Sequence, residues 1–94
     1  MKVFLTRRAE RNYKAIREYI AHEFGEQTAE TFTRKADETF QLHEEFPNMG
    51  PVASRDIRDF QLSRQTLILY RVKQQKIIIL SLFDVRQNPR KRIR

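Results

Sequence analysis

Apolar side chains return every three or four residues through the first half of the chain, then crowd into short runs, so helices should give way to strands near residue 47. In RRAERNYKAIREYIAHEFG, the residues Ala9, Tyr13, Ile16, Ile20 and Phe24 share one face of an amphipathic helix. Thr6 suits its N-cap, and Gly25 stands where a left-handed helix stop belongs. A second stripe follows at once in EQTAETFTRKADETFQLHEEF: Ala29, Phe32, Ala36, Phe40 and His43. Pro47 ends it and biases Phe46 toward an extended backbone. With only Gly25 between them, the helices should form an antiparallel hairpin.

Residues 2–6, KVFLT, read as a short strand ahead of the hairpin, and PNMGPVASR reads as a loop after it. RDIRDFQL is a half-polar strand expected at a sheet edge. TLILYRV and KIIILSLF are rich in β-branched residues and meet at Gln74-Gln75 as a hairpin. The second run is apolar on both faces and belongs mid-sheet. The order β-α-α-β-β-β predicts an α+β fold, with a helical hairpin packed on a small, mainly antiparallel sheet. One domain spans residues 1–94, ending in a basic tail from about residue 86.

Charge changes this picture. Residues 1–46 hold eight Lys/Arg against nine Asp/Glu, whereas residues 47–94 hold eleven against three aspartates. Segregation of this kind points to an acidic or polyanionic partner. The sequence has no cysteine, which removes disulfides, thiolate zinc sites and cysteine nucleophiles. His22 and His43 have no metal-ligand spacing, and no phosphate-binding glycine loop or serine elbow is present, so neither metal nor cofactor is expected. His43, on an apolar stripe, reads as a partly buried, satisfied helix residue, and His22 as surface. The apolar core of MKVFLTRR is too short for a signal peptide, and no run approaches the roughly 18 apolar residues of a membrane helix. A soluble cytoplasmic protein that makes no membrane contact is the expectation.

AERNYKAIREYIAHEFGEQTAETF, FPNMG, LILYRV and IIILSLFDVRQNPRK, in this order, span nearly the whole chain and resemble the RelE/ParE superfamily of bacterial toxins. The closing RQNPRK looks more like the ParE side. The resemblance implies the toxin of a type II toxin–antitoxin module, neutralised by a cognate antitoxin made alongside it. ParE-like members poison DNA gyrase, and RelE-like members cut mRNA in the ribosomal A site.

RNA cleavage through the 2′-hydroxyl needs a proton acceptor, a proton donor and positive charge on the transition state. Arg55, Arg58, Arg64, Arg71, Lys73 and Arg86 supply charge. No tyrosine follows Tyr70 and no histidine follows His43, so the tail lacks a proton-transfer partner, and arginine is a poor base. Were the chain a nuclease, Tyr70, Arg71, Arg64 and Arg86 would form its site. A binding toxin needs only a surface, and Arg86, Arg90, Lys91 and Arg92 are the first candidates for contact with gyrase. Specific DNA binding by the chain alone is not expected, since the tail has no recognition helix. An antitoxin segment has two candidate seats: a helical groove flanked by Tyr13, Ile16, Tyr19, Phe24 and Leu42, and the edge of RDIRDFQL. A third reading is a degenerate member that binds its antitoxin without toxicity.

Overall fold

The computed structural model describes residues 1–48, 52–54 and 56–87, with only the backbone of 52–54. The elements are β1 (Lys2–Leu5), α1 (Arg7–Phe24), α2 (Glu26–Glu45), β2 (Val52–Ser54), β3 (Ile57–Gln61), β4 (Thr66–Lys73) and β5 (Lys76–Asp84). They form one five-stranded sheet in the order β1-β5-β4-β3-β2. β1 runs parallel to β5, and the other pairs are antiparallel. The α+β order expected from periodicity is present, with one addition. The stretch PNMGPVASR contains β2, whose backbone pairs Val52 with Arg58 and Ser54 with Ile57. RDIRDFQL is therefore not the sheet edge along its first half. Three residues beside Pro and Gly carry too little local signal to reveal a strand that exists through its partner.

The turn from β1 into α1 is fastened to β5 at one residue. The Thr6 hydroxyl accepts from the Ala9 amide at 3.0 Å, capping α1, and donates to the Leu80 carbonyl at 3.0 Å. β1 pairs with β5 only as far as Leu5 opposite Ile79, so beyond that point the edge of β5 faces α1. There the Leu82 amide donates to Asn12 Oδ1 at 3.1 Å. A helix side chain thus takes over where the strand partner ends.

Between the helices, Gly25 has φ 98° and ψ 159°. This is not the left-handed helical stop expected from sequence but a glycine-only extended region. A Cβ there would meet nothing within 4 Å, so backbone strain alone selects glycine. The antiparallel hairpin is closed by Arg17, which reaches Glu26 at 2.7 Å and Thr33 Oγ1 at 3.2 Å, and by Tyr13 against Phe32 with ring centroids 5.5 Å apart. Ala9, Ala29 and Ala36 are fully buried, and their small side chains let helices and sheet approach. The hairpin of β4 and β5 turns on Gln74 and Gln75 at φ 52° and 61°, the primed geometry that matches strand twist.

The core lies between the hairpin and one sheet face. Ile16, Ile20 and Phe32 meet Ile68, Tyr70, Ile77, Ile79 and Leu82. Each buried isoleucine contributes on the order of 2 kcal/mol by leaving water. His43 belongs to this core and is fully buried. Its ring stands edge-on to Tyr70 at 4.5 Å and to Phe60 at 4.9 Å. Nδ1 donates to the Thr39 carbonyl at 2.9 Å, while Nε2 has no hydrogen-bond partner. The expected satisfied histidine is satisfied on one nitrogen only. Burial pushes its pKa below the ordinary 6.5, against the opposing pull of the Thr39 carbonyl.

The lowered value has a sign. Between the folded and unfolded pKa values the unfolded chain binds the extra proton, so stability rises with pH across that window. Denaturant unfolding should therefore show stability falling as pH drops below about 6.5, the unfolded value. A His43→Phe variant should lose that slope, and a slope that persists in the variant would assign it to other groups.

Candidate functional site

The basic tail leaves the sheet through a buried carboxylate. A bulge at Leu80 resets the alternation of β5 so that Asp84 turns inward at its end, and its side chain is fully buried. Its oxygens accept from Thr66 Oγ1 at 2.6 Å, the Arg86 amide at 2.9 Å, and the Arg86 guanidinium at 3.0 Å through Nε and 2.8 Å through Nη2. Burial pushes the Asp84 pKa up, but the hydrogen bonds from Arg86 and Thr66 outweigh it and hold the carboxyl below its usual range. Thr66 opens β4 and Asp84 closes β5, in register with one another, so the cluster ties both strand ends together.

The same cluster aims Arg86. Its guanidinium carbon lies 5.7 Å from the centroid of the Phe24 ring, and Phe24 meets Tyr19 edge-on at 6.3 Å. An open pocket of about 110 Å³ adjoins it, lined among others by Ile20, Thr28, Lys35, Ser63 and Arg86. Arg86, expected at a target surface, and Tyr19 and Phe24, expected at an antitoxin surface, therefore share one patch. Arg90, Lys91 and Arg92 lie outside the described residues, as does Arg55. The Asp84–Arg86 pair is separated by a single residue, but unbroken alternation from Ile77 and Ile79 would turn Asp84 outward, so no sequence signal marked it as an anchor.

The other candidates are scattered. Ile16 is 1% exposed and serves the core, as its place on the stripe implies, so it flanks no groove. Tyr13 is half-buried against Phe32, while Phe24 and Leu42 are 51% and 41% exposed. Tyr70 is fully buried and donates its hydroxyl to the Pro47 carbonyl at 3.0 Å. Burial raises its pKa, opposed by Arg58. Arg71, the next residue on β4, points to the opposite sheet face and pairs with Asp56 at 3.2 Å. Arg64 is exposed in the turn before β4, and Arg86 is held at the end of β5. The four residues a nuclease would need do not converge. Among the described residues no group of three or more His, Cys, Asp or Glu is placed to hold a metal ion, and no helix is long and apolar enough to cross a membrane.

Residues 3–89 match a protein-family model described as ParE toxin of type II toxin–antitoxin system, parDE. The chain belongs to the ParE toxin family. Its fold is similar to that of a solved chromosomal ParDE toxin–antitoxin system from P. aeruginosa, at TM-score 0.76 and 23% identity, covering 89% of this chain and 95% of that one. It is also similar to a copper-bound mutant toxin from Helicobacter pylori, at TM-score 0.62 and 12% identity, covering 94% and 98%. No curated relative matches the sequence. In ParE terms the chain is a toxin component, with Arg86 anchored by Asp84.

Removing the carboxylate charge should be costly. Breaking a fully buried ion pair costs about 3–5 kcal/mol, and here the arginine keeps 24% of its side-chain surface, so Asp84→Asn should destabilise by about 2–3 kcal/mol in urea unfolding. The double variant with Arg86→Met should recover part of that loss. Additive losses would show that the two groups do not act as a pair.

Proposed function

We propose that this ParE-family chain inhibits DNA gyrase by binding, with no chemistry of its own, and is neutralised by a cognate antitoxin in the cytoplasm. The observation that supports binding over cleavage is the orientation of β4. Tyr70, the only tyrosine of the basic half, is fully buried with its hydroxyl committed to the Pro47 carbonyl, and Arg71 faces the other way. A general acid or base must reach the reacting atom, and this hydroxyl is covered.

The tail fits the binding role. Past Gln87 it carries Arg90, Lys91, Arg92 and Arg94, a density of charge suited to an acidic protein surface or to DNA held by an enzyme. Arg86 is part of its anchor rather than of its free charge, because its guanidinium already bonds Asp84. A truncation meant to test the tail must therefore stop after Gln87, since removing Arg86 would strand the Asp84 carboxylate.

Purified protein freed of antitoxin should inhibit gyrase supercoiling and accumulate cleaved DNA, with the effect weakening as salt rises. Deletion of residues 88–94 should abolish inhibition while leaving thermal stability and antitoxin binding in place. If gyrase is untouched and a translation extract instead shows mRNA cut at A-site codons, the binding reading fails. If the truncated chain still poisons gyrase, the tail is not the determinant.

A further inference from the structure

Among the described residues the sheet has helices on one face only, and its other face combines an apolar field with a row of three adjacent lysines. Strand alternation and register place Phe4 on β1, Ile78, Leu80 and Phe83 on β5, and Leu67 and Leu69 on β4 away from the helices. None of the six belongs to the core or packs against it. Leu80 joins this face because a bulge opposite Leu69 and Tyr70 adds one residue to β5. Phe4 is 38% exposed and the other five are half-buried.

At the end of this field the register sets Lys2 opposite Lys76 and Lys76 opposite Lys73. Three cations thus sit side by side on neighbouring strands, about 4.8 Å apart in backbone spacing. All three are exposed, and among the described residues none has an ion-pair partner. Lys76 Nζ lies 5.6 Å over the Phe4 ring, so the row and the apolar field are contiguous. Like charges directly opposite one another on a sheet are destabilising. The arrangement costs folding energy and is compensated when an anionic group sits across the row.

We infer that this face is the seat of an acidic, amphipathic polypeptide segment, its apolar side on Phe4, Ile78, Leu80 and Leu69 and its carboxylates on Lys2, Lys76 and Lys73. Naming that segment as part of the antitoxin rests on the function proposed above. Charge complementarity selects the occupant. Residues 88–94 of this chain carry four cations and a single isoleucine, and so complement neither half of the face. A second copy would set lysine rows against each other. Nucleic acid matches the lysines but not the apolar field, which offers one exposed aromatic ring and five half-buried side chains of which four are aliphatic.

The test uses the full chain with a synthetic peptide pairing a leucine face with a flank of glutamates, its counterpart with lysines, and a single-stranded oligonucleotide. The glutamate peptide should bind, shift the NMR signals of Phe4, Leu69, Ile78 and Leu80, and lose about tenfold in affinity when Lys73→Glu and Lys76→Glu are combined. The double variant should melt close to wild type, because the glutamate at position 76 then faces Lys2 while the glutamate opposite it at position 73 replaces one like-charge pair by another. Equal binding of both peptides, shifts confined to α1 and α2, or displacement of the peptide by the oligonucleotide would overturn the inference. The antitoxin encoded beside the chain is then tested on the same variant. A complex that forms as tightly as with wild type removes this face as the seat while the toxin–antitoxin reading stands. If wild type forms no complex with that antitoxin while the peptide result holds, the reading fails and the assigned occupant with it, but the acidic-segment surface remains.

Discussion

β5 is the strand on which β1, β4 and α1 all assemble. The strand pairs with β1 on one side and β4 on the other, α1 packs on its inner face, and the chain leaves the sheet from its end. A strand in that position must be apolar on both faces over most of its length, and IIILSLF is. β1 lies far from β5 in sequence, since Lys2 pairs with Lys76, so that pairing closes a long loop holding the helical hairpin and the β3–β4 strands. Thr6 and Asn12 then satisfy the parts of β5 that β1 does not reach.

The ends of β5 are where apolar packing gives way to charge. At one end Asp84 is buried and fully engaged, converting a strand terminus into an anchor for Arg86. At the other end Lys76 sits between Lys2 and Lys73 with no anion opposite. Among the described residues one charge is paired and the other row is not. On the inference drawn above, that contrast separates the part of the charged surface that serves folding from the part that serves a partner. On the proposed function no catalytic group is needed: the sheet displays surfaces, and its buried Tyr70 is sealed beneath the end of α2.

Much of this was legible in the residues. The two helical stripes, the Thr6 cap, the stop at Pro47 and the hairpin at Gln74-Gln75 rest on local chemistry and stand where local chemistry puts them. β2 was not legible, because a three-residue strand beside Pro and Gly is defined by β3 rather than by its own propensity. The stop at Gly25 was legible as glycine but not as ψ 159°, because the left-handed and the extended positive-φ regions both call for glycine. Ile16 was misplaced as a groove residue although its stripe already assigned it to the core. The Asp84 anchor needed the register of Thr66, and the lysine row needed the register of three strands. Neither is contained in a periodicity.

A toxin that acts through surfaces, and not through a proton-transferring tyrosine, should not need the Tyr70 hydroxyl. Growth arrest on expression of Tyr70→Phe, with circular dichroism confirming the fold, tests this most directly. Arrest equal to wild type is predicted, because the buried hydroxyl bonds the Pro47 carbonyl and the folded surface remains without it. A folded Tyr70→Phe protein that no longer arrests growth would contradict the surface mechanism.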